Sequence, residues 1–348
     1  MAPTLNALAC DFVDYPEPHL ERTRKLLRAH PEVRTLFGPA RVTALLVFFA
    51  VGVQLALAYA VRGAPLWAVL AVAWGVGAFA NHMLWVLIHD CTHNLVFRSP
   101  RANAWLQIFA NGPIVFPAAA SFRKFHLLHH RFQGVPELDA DLAAPFEARF
   151  VQNSPVRKAF WLLTFFAWQA ARVPRLKRIH FLDGWYAVNL IWQVAFVSGV
   201  FALAGWRGVL FMTLASVFAI GLHPVGARWI QEHYLTSDDQ ETFSYYGPLN
   251  VIALNVGYHN EHHDLMTVPW MRLPRIKAMA PEFYDSLRSH TSWAKLLVRF
   301  IVDPKLSLYS RRTREAPKRG LAARRVDGVF TEAITTQAQQ RESEPAQA

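Results

Sequence analysis

The chain has 348 residues, of which 53% are hydrophobic, 13% aromatic and only 18% charged, with a net charge of +11. An ordinary soluble domain is about 45–50% apolar and about 25% charged, so this composition excludes one, and 12 tryptophans with 25 phenylalanines exclude disorder over most of the chain. Two cysteines exclude a disulfide scaffold and the cysteine-rich zinc folds.

Residues 1–41 hold 11 charged side chains and no apolar core, so no signal peptide is expected there. The start, Met1-Ala2-Pro3-Thr4, lacks the glycine that myristoylation requires. A spanning helix needs about 20 mostly apolar residues. Uncharged runs of 20, 27, 23 and 20 residues follow Arg41, Arg62, Asp183 and Arg207. They predict an all-α integral membrane protein whose four transmembrane helices form two hairpins, near 42–61, 65–89, 184–206 and 208–227. The membrane domain is expected to run from 42 to 310. Residues 102–122, 159–171 and the run from Tyr245 to Asn260 are apolar but short or broken by prolines such as Pro113 and Pro117. They are expected to lie at the interface or re-enter on the cytoplasmic side. From 311 to 348 the composition shifts to Arg, Lys, Glu, Gln and Ala, which predicts a disordered, replaceable tail.

Of 36 Lys and Arg, all but Arg62 and Arg207 fall on the same side of this topology. The positive-inside rule then puts both termini and the middle segment in the cytoplasm. The same rule, with attraction to anionic headgroups, accounts for the net charge and leaves no case for nucleic-acid binding.

Fifteen histidines are present, and eight fall in three runs. His89 and His93 stand in His-Asp-Cys-Thr-His, His126, His129 and His130 in His-Leu-Leu-His-His, and His259, His262 and His263 in His-Asn-Glu-His-His. Positions i, i+3 and i+4 share a helix face, so each box is expected to aim its rings at one point. All three lie on the cytoplasmic side of the predicted spans. Eight imidazoles are too many for one metal and suit two. Open metal sites against the ends of apolar helices point to a lipid substrate and a redox metal, with iron and O2 fitted to an unactivated C–H bond. Asp139 and Asp141 stand equally as carboxylates behind a ligand or as a cap in a solvated loop. His82, seven residues before His89 on a similar face, is expected beside the ligands rather than among them. Glu261 and Asp90 sit inside boxes, and Cys91 reads as a packing residue. His19, His30, His180 and His290 read as surface histidines, and His223 as a packing or hydrogen-bonding residue in the bundle.

At these boxes the chain resembles the membrane fatty-acyl desaturase and hydroxylase superfamily, and within it the sphingolipid Δ4-desaturases. The run Asp11-Phe12-Val13-Asp14-Tyr15-Pro16-Glu17-Pro18-His19 with Glu21-Arg22-Thr23-Arg24-Lys25 is similar to their N-terminal signature. So are Ser121 to His126, His223-Pro224 with Glu232-His233-Tyr234, and Tyr245 to Asn250, and most specifically Asn255-Val256-Gly257-Tyr258-His259 through Asp264. The resemblance covers roughly residues 10–310. It implies a four-span fold with a cytoplasmic helical cap carrying a His-rich di-iron site, an acyl tunnel and O2 as co-substrate. Electrons would come from NAD(P)H through a separate reductase and a small carrier, a cytochrome-b-type haem protein or a ferredoxin. The eight box histidines would be ligands, with His233 added from the superfamily pattern. The expected reaction is a trans Δ4 double bond in the sphinganine chain of dihydroceramide or a similar sphingolipid. C4 hydroxylation or fatty-acyl desaturation on the same scaffold are the alternatives, with a membrane zinc hydrolase more remote. The first box departs from the family in the residues between its histidines but keeps their spacing, and the Ala, Arg and Trp usage points to a bacterial inner membrane.

Overall fold

The computed structural model describes residues 10–173, 176 and 182–315. His180 and most of the expected tail lie outside them. Within them the chain is mostly helical. A short strand β1 (Asp11–Phe12) leads to α1 (His19–Ala29), and then α2 (Val42–Ala60) forms the first long apolar helix. After the turn at Arg62, α3 (Leu66–Val72), a π turn (Ala73–Gly77) and α4 (Ala78–Thr92) continue as one helical stretch. The wider π turn leaves a carbonyl to be satisfied, and Gln54 of α2 donates to Gly77 O at 2.9 Å. Next come α5 (Pro100–Asn111), α6 (Ala119–Arg131), α7 (Pro145–Val151), α8 (Pro155–Leu163) and α9 (Phe165–Arg172). The chain then runs through α10 (Gly184–Ile220), α11 (Arg228–His233), strand β2 (Ser244–Tyr245) and α12 (His259–Asp264). It finishes with α13 (Leu273–Met279), strand β3 (Ser289–His290), α14 (Trp293–Val302) and strand β4 (Arg312–Thr313).

Among the described residues, three helical stretches are long and apolar enough to cross a membrane: Val42–Ala60, Leu66–Thr92 and Gly184–His233. The last is not straight. Gly205 holds φ 63° and ψ −170° inside α10, a left-handed conformation that glycine adopts without the penalty a Cβ would bring. Gln193 donates to Gly112 O at 2.8 Å and Ser216 to Pro113 O at 3.4 Å. A straight helix would hold those two side chains about 34 Å apart, so α10 doubles back at Gly205. Val200, Ala204, Phe211 and Met212 accordingly share one buried cluster with Ala58, Val61, Val69 and Ala73 at the same end of the bundle. The turn expected at Arg207 thus falls two residues earlier. The helix also ends at Ile220, seven residues before the expected limit, because Pro224 follows.

The opposite end of the bundle carries the remaining helices. Arg123 of α6 donates to Cys91 O and to Asn94 Oδ1, both at 2.9 Å, which fixes α6 against the end of α4. Glu147 of α7, fully buried, accepts from Arg172 at 2.6 and 2.9 Å and from Trp161 at 2.9 Å. The N-terminal segment is not a separate body: Leu26, Val33 and Leu36 share a core with Leu265, Val268, Ile276 and Tyr284. The boundary expected at residue 311 also moves. Strands β1 and β4 pair in parallel, and Arg314 makes a buried ion pair with Glu241 at 2.7 Å. Residues 311–315 therefore belong to the folded body. With β2 and β3 also paired, two short parallel ladders depart from the all-α expectation.

Candidate metal centre

α4 ends on the first box: His89 sits in its last turn and His93 caps it. α6 carries His126, His129 and His130, α12 carries His259, His262 and His263, and α11 ends on His233. These four elements bring nine histidines to one end of the bundle. The rings form two adjoining groups. The first is His89, His93, His126, His130 and His262, whose ligand atoms all lie within 4.8 Å of one another, and the second contains His129, His233 and His263. His259 joins the second through Nε2, 3.0 Å from Nε2 of His233.

The first box aims at one point, as its spacing predicts: His89 and His93 both enter the first group. The other two boxes are split. On a helix, i+4 lies about 40° from i, while i+3 lies about 60° to the other side. On α6 the i,i+4 pair His126 and His130 enters the first group, and His129 the second. On α12 the pair His259 and His263 enters the second group, and His262 the first. Two short helices thereby supply both groups in complementary fashion, and the His130 and His263 rings stack across the boundary with centroids 4.2 Å apart.

The spacing within each group fits a metal ion. Nε2 of His126 lies 2.9 Å from that of His93 and 3.0 Å from that of His130, which is 3.1 Å from His262 Nε2. His129 and His233 meet at 3.0 Å in the second group. Nitrogens about 2.1 Å from a common metal lie about 3.0 Å apart when at right angles around it. Ring nitrogens this close need a proton or a metal between them, and His263 Nε2 is buried with no hydrogen-bond partner. Five imidazoles exceed the four ligands of a structural zinc site. An imidazole-rich set with more than four donors suits a metal such as iron. Burial, reinforced by neighbouring imidazoles and cations, holds His93, His126, His130, His259, His262 and His263 well below the usual histidine range. They are therefore in the neutral form that metal ligation needs.

The outer contacts favour the second group. His129 Nδ1 lies 2.9 Å from Asp139 Oδ1 and 3.7 Å from Asp141. Burial opposes charge on both partners, but their attraction outweighs it, raising the His129 pKa and lowering that of Asp139. Asp139 is itself held by the backbone N–H groups of Gly134 (2.7 Å) and Asp141 (2.9 Å). His259 Nδ1 lies 3.6 Å from Glu232, and His233 Nδ1 lies 3.4 Å from Thr242 Oγ1. Glu261 does not meet a histidine: it accepts from Ser244 at 2.7 Å and Tyr246 at 2.6 Å, and burial pushes its pKa up to about 7. His82 does not reach the centre either; its Nδ1 bonds the Ala219 carbonyl at 3.0 Å and so ties α4 to α10. His223 is buried against Trp74 and Phe79, as a packing residue. Asp90 accepts the Trp270 backbone N–H at 3.3 Å.

Sequence reasoning misplaced His19. It is buried beside the second group, with its ring 4.8 Å from that of His263 and its nitrogens on Asp264 (2.7 Å) and Thr242 (3.0 Å). The signal was its place in the N-terminal signature, which ordered the residue but did not say what it touched. A cavity of about 480 Å³ adjoins the centre, within the usual range for small-molecule sites. It is walled mainly by aromatic and aliphatic groups, including Trp85, Ile114, Phe122, Phe166 and Trp229. His126 of the first group and Asp141, behind His129, also line it.

Similarity to known proteins agrees with this arrangement. A profile described as Fatty acid desaturase matches residues 65–294, and the chain belongs to that family of oxidoreductases. A second profile, described as Sphingolipid Delta4-desaturase (DES), matches residues 11–41. The chain is 40% identical over 303 residues to a sphingolipid delta(4)-desaturase DES1-like protein of Oryza sativa subsp. japonica, covering 87% of this chain and 92% of that protein. It is 36% identical over 309 residues to sphingolipid delta(4)-desaturase DES1 of Bos taurus, with 87% and 94% covered. It is 37% identical over 305 residues to sphingolipid delta(4)-desaturase/C4-monooxygenase DES2 of Rattus norvegicus, with 86% and 93% covered. Within the desaturases the chain therefore falls in the sphingolipid Δ4-desaturase branch. The relatives named here are eukaryotic, which lends the expected bacterial membrane no support.

Proposed function

We propose that the protein introduces a trans Δ4 double bond into the sphinganine chain of dihydroceramide or a close sphingolipid, using two iron ions and O2. The observation that carries this reading is the pair of imidazole groups beside an apolar cavity, in a chain similar throughout to sphingolipid Δ4-desaturases. His89, His93, His126, His130 and His262 hold one iron, and His129, His233, His259 and His263 the other. Bound iron supplies the reduction of O2 and the removal of hydrogen from two adjacent methylenes. The protein's part is to hold the chain still in front of that centre. The apolar walls bind the acyl tail at about 0.8 kcal/mol per buried CH₂. Asp141, Gln169 and Tyr186, at the polar part of the lining, engage the amide and hydroxyls of the headgroup and so set which methylenes face His126. Fixing that register is what makes the attack regioselective. Asp139 and Asp141 orient His129 and make its ring more basic.

The doubled-back α10 supports four membrane crossings rather than three. The distribution of Lys and Arg supports cytoplasmic termini, with the His-rich cap on the same side. Electrons reach the centre from NAD(P)H through a separate reductase and a small carrier. C4 hydroxylation of the same lipid is a second reading, favoured by the rat relative's double name. Lipid mass spectrometry of a host that makes dihydroceramide but lacks its own desaturase tests both. Loss of two hydrogens at C4 and C5 upon expression is the expected result. Gain of one oxygen would establish the hydroxylase instead.

A further inference from the structure

The N-terminal signature reaches the metal centre through an unbroken chain of polar groups. His19 Nδ1 lies 2.7 Å from Asp264 Oδ1, and His19 Nε2 lies 3.0 Å from Thr242 Oγ1. Thr242 Oγ1 lies in turn 3.4 Å from His233 Nδ1 and from Gln133 Nε2. His19, Thr242, Asp264 and His233 are all at most 5% exposed, so water does not compete for these contacts. Arg22 and Tyr284 fill the second oxygen of Asp264 at 2.7 and 3.0 Å.

The contacts favour one direction for the hydrogens in this chain. Arg22 Nη2 also lies 3.0 Å from His19 Nδ1 and donates to Asn260 Oδ1. The shorter contact of that ring nitrogen is to Asp264 Oδ1 at 2.7 Å, and the other oxygen of Asp264 accepts from Arg22 and Tyr284. With Asp264 accepting throughout, His19 carries its proton on Nδ1 and offers a bare Nε2. Thr242 must then donate its hydroxyl hydrogen to His19. Its oxygen is left as an acceptor, for the amide of Gln133 and for Nδ1–H of His233. His233 is thereby held in the tautomer with Nδ1 protonated and Nε2 bare. That nitrogen is the one that meets His129 and His259 at 3.0 Å. Among the four rings of the second group, His129 and His259 have a carboxylate near the far nitrogen, whereas His233 has only a hydroxyl. A hydroxyl can donate or accept, so it needs a further group to decide which.

We propose that His19 is a positioning residue of the metal centre: with Asp264 it turns the Thr242 hydroxyl so that His233 presents its Nε2 to the iron of the four-histidine group. The N-terminal signature is then part of the iron site. The inference rests on the iron reading above. Losing an outer partner of a metal-bound histidine typically lowers metal affinity or activity 10–100-fold.

The test uses the full chain purified in detergent and loaded with ferrous iron, with iron release to a chelator followed against time. Wild-type protein should bind two irons per chain; failure to bind would sink the iron reading itself, before the variants are compared. Thr242→Val keeps shape and removes the hydroxyl, and should release one of two irons 10–100-fold faster while the other leaves at the wild-type rate. His19→Ala should do the same. Thr242→Ser, which keeps the hydroxyl, and His19→Gln, which can still donate to one side and accept on the other, should recover most of the retention. Wild-type release from Thr242→Val and His19→Ala would overturn the proposal. So would equal acceleration of both irons, or loss in Thr242→Ser as large as in Thr242→Val, because either would mean that these residues only hold the fold together.

Discussion

The two histidine groups share the second and third boxes, the first box entering only the five-histidine group and His233 only the other, and they are secured differently. The five-histidine group takes two members from the end of a long helix of the bundle and two more from the helix clamped against it by Arg123. Rigid helices aim these rings, and three of the five are partly exposed, with His126 facing the cavity. The four-histidine group is fully buried, and its members come from elements as short as six residues. Such pieces have little stiffness of their own. Their rings are held by Asp139, Glu232 and Thr242 and by the N-terminal segment behind them. Three of these four rings have an outer polar partner, including His129 on the longer α6, so the added contacts go with deep burial as well as with short elements.

That contrast can be broken at several points. The largest effect is expected from the ligands themselves. His262→Ala and His129→Ala, which empty one position in each group, should each lower turnover more than 100-fold and reduce iron content, while membrane insertion persists. Normal turnover in either variant would remove that residue from the centre. Asp139→Asn should act on the four-histidine group alone, with iron release from one site accelerated 10–100-fold; an equal effect on both sites would show that the groups are not separately braced. A side chain added to the cavity wall tests the five-histidine side. Ala170→Phe should displace about two methylenes of the acyl chain, raising KM for long-chain substrate about tenfold with iron content unchanged. An unaltered KM would mean that the chain binds elsewhere.

The smallest expected effect concerns the strap that supports Asp139. Arg314 donates its backbone N–H to Gly134 O at 2.9 Å, and its guanidinium pairs with Glu241. Ending the chain after residue 310 removes that strap and leaves Glu241 buried without its partner, a loss of about 3 kcal/mol readable as a fall of several degrees in Tm. Ending it after residue 315 keeps strap and pair and should leave Tm close to that of the full chain. Equal melting of the two truncated proteins would show that the strap carries no stability.

Much of this was legible locally. Apolar runs bounded by single arginines mark the crossing helices because hydrocarbon thickness fixes helix length. The i, i+3, i+4 spacing marks the boxes because helix geometry puts such residues on one face. Spacing also made each box look like one aim point, which holds for His89 and His93 but failed for the two three-histidine boxes: a face about 100° wide can serve two targets, and which target each ring meets depends on the partner helix. Surface assignment failed at His19 for a similar reason, since a histidine in a charged segment looks solvated until Leu26 and Val33 dock that segment onto α13. The expected tail began too early because its composition could not show that Arg314 finds Glu241.

The sequence by itself determined the membrane class and the three histidine boxes, which follow from composition and from contacts within a few residues. The branch of desaturases and the ligands expected of it came from resemblance to that family. Only the tertiary structure decided the division of nine rings into five and four, the doubling back at Gly205, the cavity beside His126 and the path from His19 to His233. Those depend on which helices meet and at what angle, and that is settled by the burial of whole apolar faces rather than by any short run of residues.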